Sequence, residues 1–93
     1  MSELQQVSGI ELRKLLSEKK LVIGTEKAFK LLRVGKLSKI IISSNCPAPV
    51  LRDAKKYAAL TETELVHANQ SNEQLGLLCK KPFFISVIGV VRK

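Results

Sequence analysis

LVIGTEKAFKLLRVGKLSKIIISSN, residues Leu21 to Asn45, is the stretch that decides the fold class. Leu21, Val22 and Ile23 form an apolar run too short for a helix and closed by Gly24, which is the pattern of a short buried strand. Ala28, Leu31 and Leu32 then recur at helical spacing until Gly35 ends the stripe. Ile40, Ile41 and Ile42 supply a second strand, and Asn45 follows it in a loop. A strand, a helix and a next parallel strand are joined right-handedly, so Gly24 and Asn45 are both expected at the carboxyl edge of one sheet.

The rest of the chain repeats this alternation in both directions. Upstream, Ser8, Gly9, Ile10 and Glu11 spell a capping box that opens a helix with Leu12, Leu15 and Leu16 inward, ending near Lys19. Downstream, Cys46, Pro47, Ala48 and Pro49 break the second strand. A third helix then offers Val50, Leu51, Ala54, Tyr57 and Ala58 to the core. Leu65 to Ala68 is a weaker third strand. Ser71 and Gln74 form a second capping box for a helix using Leu75, Leu78 and Cys79, which stops before Pro82. Phe84 to Val91 reads as the last strand. Eight alternating elements whose strands are too apolar to have a wet face imply an α/β fold, a small sheet covered by helices on both sides.

A chain of 93 residues, 45% of them hydrophobic, is sized for one domain, expected to span residues 1–93. Sixteen Lys and Arg against eight Asp and Glu give a formal net charge of +8, which favours an anionic partner, nucleic acid first. Nine of the basic residues fall between Arg13 and Lys39, against two acids, whereas Tyr57 to Cys79 holds none. That imbalance predicts one basic face. No apolar run reaches the roughly 18 residues of a membrane span, and the N-terminus lacks the order of a signal peptide, so an intracellular, cytoplasmic protein is expected. Cys46 and Cys79 read as free, packed thiols. With the single His67 they have no metal-ligand spacing, so no metal and no cofactor is expected.

The Gly24 turn carries the first functional signal. Helix N–H groups starting at Thr25 point out of the sheet edge, with Lys27, Lys30 and Arg33 beside them, an arrangement suited to a phosphate or a base edge. A nucleotide pocket remains open on these residues, although the turn lacks a phosphate-cradling glycine series. An enzyme is disfavoured, because no acid, base and nucleophile cluster is evident and His67 falls in an expected strand away from the glycine edge.

Beyond these patterns the sequence resembles a known family, the L-seven-Ae and L-thirty-e group of small ribosomal and ribonucleoprotein proteins, and within it the L-thirty-e branch of archaea and eukaryotes. The matching residues are the Gly24 turn with Lys30 six positions later, LLRVGKLSKIIISSN from Leu31 to Asn45, YAAL at Tyr57 to Leu60, and Leu75-Gly76 followed by Lys81-Pro82. The resemblance implies a three-layer α/β/α sandwich with a small mixed four-stranded sheet, no catalysis, and binding to RNA kink-turns or related internal loops in the large ribosomal subunit. The implied partners are ribosomal RNA and neighbouring ribosomal proteins, with no membrane, and the chain is a monomer when free.

Carried onto this sequence, the family's RNA surface corresponds to Gly24, Thr25, Glu26, Lys27 and Lys30, then Asn45, then Lys81, Pro82, Phe83 and Phe84. Arg33 joins them on its charge. An internal loop presents splayed bases that can be hydrogen-bonded and stacked, unlike the deep groove of a regular RNA duplex. Asn45 offers both a donor and an acceptor, the cations suit a bent phosphate backbone, and a phenylalanine can cover an unstacked base. Each residue has a plainer reading. Gly24 can be a turn residue only, Asn45 can bond the following backbone, and Glu26 can be a helix-start acid paired with Lys30. Alternation along the last strand places one of Phe83 and Phe84 in the core and leaves the other, Phe83, exposed. Alternative functions are a kink-turn-binding part of another ribonucleoprotein and a protein-interaction module without RNA binding.

Overall fold

The computed structural model describes residues 9–92. The elements follow as α1 (Gly9–Ser17), β1 (Leu21–Ile23), α2 (Thr25–Arg33), β2 (Leu37–Ile42), α3 (Ala48–Leu60), β3 (Glu64–His67), α4 (Asn72–Leu78) and β4 (Val87–Val91). The expected capping box at Ser8 lies outside the described residues. The one at Ser71 is formed in full: Gln74 N–H donates to Ser71 Oγ at 3.2 Å, and Ser71 N–H donates to Gln74 Oε1 at 2.8 Å. Helix ends are equally well specified. Lys20 N–H bonds Leu15 O while Lys19 N–H bonds Leu16 O, the paired closure of a helix whose next residue turns left-handed, and the same pairs recur at Gly35–Lys36 and Lys80–Lys81. Lys19 and Lys80 take φ values of 59° and 56° there, where Gly35 takes 73°.

The four strands lie in the order β1-β4-β2-β3. Strand β4 inserts antiparallel between β1 and β2, and β3 runs parallel to β2, so the sheet is mixed. Consequently β1, β2 and β3 all end at one edge of the sheet, and β4 starts there. A bulge between Leu37 and Lys39 shifts the side-chain phase, putting Leu37 on the same face as Ile40 and Ile42.

Helices cover both faces. On one, Leu12 of α1 with Leu75 of α4 and Cys79 just after it pack against Ile41, Val66 and Ile88. On the other, Ala28, Phe29 and Leu32 of α2 with Ala54 and Ala58 of α3 pack against Ile40, Ile42 and Val87. This is the α/β/α sandwich. Cys79 belongs to the first cluster and Cys46 lies against the second, so the sheet separates the two free thiols. Burial raises the pKa of each above the ordinary thiol value; at Cys79, Lys81 partly opposes the rise. Opposite the edge where the strands end, Arg92 closes two helices at once, donating from Nε to Gly35 O at 3.0 Å and from Nη2 to Thr61 O at 3.4 Å.

Boundary shifts are small except at β4. Strand β2 starts earlier than expected, at Leu37, and α1 ends at Ser17. The last strand begins at Val87, not Phe84: Ser43 N–H still donates to Ser86 O at 2.9 Å in line with the β2–β4 register, but one residue earlier Ile85 N–H donates to Asn72 O at 3.0 Å, away from the sheet. Strand alternation therefore does not govern Phe83 and Phe84. Both are exposed, at 51% and 68%, and Ile85 takes the core position.

Candidate nucleic-acid interface

Gly24 ends β1 and caps α2 with φ 115° and ψ 144°, a backbone region that side chains disfavour. Its turn role is thus real, and a Cβ placed there would meet no atom within 4 Å, so the backbone also faces open space. Gly24 N–H donates to Val87 O at 3.1 Å, fixing the turn to the start of β4. No side chain caps α2, in contrast to α4, and its first N–H groups are left to an external acceptor. Thr25 is half-buried; Glu26, Lys27 and Lys30 are exposed. The Glu26–Lys30 ion pair of the plainer reading does not form: among the described residues the one ion pair is Lys20–Glu18.

Asn45 lies at the same edge, after β2, and its partner is a residue that sequence reasoning did not single out. Asn45 Oδ1 accepts from Asn72 N–H at 2.9 Å, and Asn45 Nδ2 donates to Asn72 Oδ1 at 3.1 Å. The contact is with the first turn of α4 and not with the backbone before Cys46-Pro47. Because the amide has two N–H groups and two lone-pair sites, one of each remains for an outside group. Asn72 O also holds Ile85 N–H, so one residue links the loop after β2 to the loop before β4.

That third loop reaches the edge as the resemblance implied. Lys81 and Phe83 line an open cleft together with Lys27 and the β1 residues Leu21, Val22 and Ile23. A second, smaller hollow beside it is lined by Glu73, Leu77, Lys81, Pro82, Phe83 and Phe84. What lets the loop cross α4 is Gly76, where a Cβ would fall 2.2 Å from the carbonyl oxygen of Phe83. A glycine inside a helix costs about 1 kcal/mol against alanine, and that local misfit was the available sign of a close backbone approach.

Three expectations change. Arg33 is not at the edge: it ends α2, and its guanidinium lies 5.3 Å from the Tyr57 ring centroid. The nine basic residues from Arg13 to Lys39 do not share one face either, since α1 and α2 cover opposite sides of the sheet. His67, expected away from the glycine edge, ends β3 at that same edge, but three strand spacings from β1, about 14 Å, with both ring nitrogens buried. Among the described residues no group of His, Cys, Asp and Glu could hold a metal ion, and no helix is long and apolar enough to cross a membrane.

A profile of the Ribosomal protein L7Ae/L30e/S12e/Gadd45 family matches residues 7–93. The chain belongs to this family. Among its similar members, the large ribosomal subunit protein eL30 of Sulfurisphaera tokodaii is 37% identical over 90 residues, covering 95% of this chain and 85% of the relative. The protein of the same name from Sulfolobus acidocaldarius is 36% identical over 81 residues, 87% of this chain and 78% of the relative. Among solved structures, the Giardia lamblia 15.5kD RNA binding protein superposes with a TM-score of 0.79 at 18% identity, covering 88% of this chain and 68% of the other. A protein of unknown function from Bacillus halodurans superposes with the same score at 20% identity, covering 87% and 80%. At those identities the two structures bear on the L7Ae/L30e fold alone. Within that fold, the loop after β2 delivers Asn45 to the edge beside the Gly24 turn, and Gly76 lets the Phe83 loop pass.

Proposed function

We propose that this chain is a noncatalytic structural protein of the large ribosomal subunit, a single domain that binds a kink-turn or related internal loop of ribosomal RNA through the edge where β1, β2 and β3 end. One observation carries the reading. Three segments far apart in sequence, Gly24–Lys30, Asn45 and Lys81–Phe84, meet there with an uncapped helix start, a half-satisfied amide, cations and two exposed phenylalanines. Such a surface suits splayed bases on a sharply bent backbone better than the regular duplex, whose narrow groove side chains do not enter. The name shared by the 37% and 36% identical relatives supports the ribosomal assignment. A cytoplasmic ribosome, with neighbouring ribosomal proteins as further contacts and a monomer when free, completes it.

In this site Lys27, Lys30 and Lys81 engage phosphates, Asn45 bonds a base edge with its free N–H and lone pair, and Phe83 or Phe84 covers an unstacked base. Glu26, free of Lys30, accepts from a guanine edge. Crosslinking the protein to RNA in cells and sequencing what is attached tests the proposal. Reads concentrated in one internal loop of large-subunit ribosomal RNA are expected; reads in another RNA, or none, overturn the ribosomal assignment.

A further inference from the structure

Away from that edge, α2 and α3 bring two cations onto one aromatic ring. The Arg33 guanidinium carbon lies 5.3 Å from the Tyr57 centroid and Lys56 Nζ lies 5.7 Å from it. The ring itself is held by the core: it meets buried Phe29 edge-on, centroids 6.4 Å apart at 64°. Among the described residues neither cation has a carboxylate within 4.0 Å. Asp53, one helical turn before Lys56, makes no ion pair, and Lys20–Glu18 is the one such pair among the described residues. The fold therefore gathers two like charges at one ring, at a cost in repulsion, and among the described residues pairs neither with a carboxylate. Cation–π attraction, about 0.5 to 1 kcal/mol at an exposed site, offsets that cost without neutralising the pair.

We infer that the Arg33–Tyr57–Lys56 cluster is a second contact surface for RNA, holding the phosphate backbone of a stem that flanks the bound loop. The inference rests on the proposed function for the loop itself. Arg33 stands about 12 Å along α2 from Thr25, and exposed Lys27 and Lys30 lie between them, so a line of positive charge leads from the Gly24 turn to the cluster. A chain of evenly spaced phosphates matches such a line; a single small anion would occupy only one end. The guanidinium suits this use, being planar, always charged and weakly hydrated. Contacts from cations to phosphates carry no sequence information, so this surface adds affinity without sequence preference.

Affinity of the full chain for a bent internal-loop RNA with both stems intact, measured by fluorescence anisotropy across a salt series, tests this. Arg33→Gln with Lys56→Gln is expected to weaken binding roughly tenfold at low salt. The slope of log K against log salt should become shallower by roughly 1.4 to 1.8, the share of two phosphate contacts, with preference among loop sequences unchanged. Arg33→Lys with Lys56→Arg should keep the wild-type slope. Lys56→Gln alone, at an exposed helix position, should show about half the change and guards against a folding defect in the double variant. An unchanged slope and affinity in the neutral variants, with wild type binding normally, would overturn the second surface and leave the loop site standing. If wild type itself fails to bind, the loop reading falls and this one with it.

Discussion

Asn45 shows how much a single side chain is asked to do. Its amide is fixed by Asn72 through one donor and one acceptor, which leaves the opposite pair turned outward in a defined orientation. Asn45→Ala should cost roughly 1 to 3 kcal/mol of affinity for a bent-loop RNA, the scale of a specific base contact. It should also cost about 1 kcal/mol of stability through the lost clasp. Calorimetry on the bent loop and on a plain duplex separates the two: equal losses on both RNAs would assign the whole effect to folding. Glu26 invites a sharper test. With no ion pair to Lys30, it lacks the usual reason for an acid one turn before a lysine. Glu26→Gln should lose discrimination between guanine and inosine, inosine lacking the exocyclic amine, whereas Lys27→Ala should weaken both RNAs alike. Discrimination as good as wild type in Glu26→Gln would make it a helix-start acid only. Gly24 and Asn45 were legible as neighbours because β1 and β2 run the same way, which local pattern and handedness dictate. Asn72 was not, since a polar residue in the first turn of a helix looks like any other until its partner, 27 positions earlier, is known.

At the scale of elements, α4 and the loop after it are the coupled pair that shapes the site. Gly76 leaves room for the carbonyl of Phe83 where a methyl group would sit 2.2 Å away. Gly76→Ala must push the loop outward, and about 1 to 3 kcal/mol of destabilisation is expected from such overpacking. Urea unfolding measures it. RNA affinity should fall with it while Asn45 stays clasped; a variant as stable as wild type would mean the loop moves freely and is not held by α4. The same coupling explains why the last strand was misjudged. Phe83 and Phe84 are strand-forming by composition, yet the carbonyl of Asn72 takes up the N–H of Ile85, and the strand starts only at Val87. Propensity favoured a longer strand; tertiary hydrogen bonds shortened it and left two aromatics in solvent. Helices α2 and α3, by contrast, were largely readable from the periodicity of their apolar stripes, although Phe29, buried beside Ala28 and Leu32, was not among the residues expected inward and Leu31 is only partly buried.

Across the whole molecule, the sheet divides two cores and two cysteines, and this has a pH signature. Burial raises both thiol pKa values, so the folded state holds its thiol protons to higher pH than the unfolded chain does. Their contribution to stability is complete below the ordinary thiol pKa and is lost as pH rises from there through the folded values. Urea midpoints should therefore decline from about pH 8 to pH 10, and less so in Cys46→Ala with Cys79→Ala; an equal decline in that variant would place the effect on other groups. Charge is distributed less simply than the run of lysines and arginines suggested. Counting residues gave the sign and the class of partner, but which side of the sheet each helix covers depends on strand order, and β4 inserting between β1 and β2 is a long-range choice that no local stretch records. What remains decisive is whether the edge selects a bent loop. The direct measurement is the affinity of the chain for a kink-turn RNA against a plain duplex of equal length and charge, at the same salt. The expected result is binding at least a hundredfold tighter to the kink-turn, about 2.7 kcal/mol, with that margin largely removed by Asn45→Ala. Equal affinity for both RNAs, falling together with salt, would contradict it and reduce the protein to a nonspecific polycation.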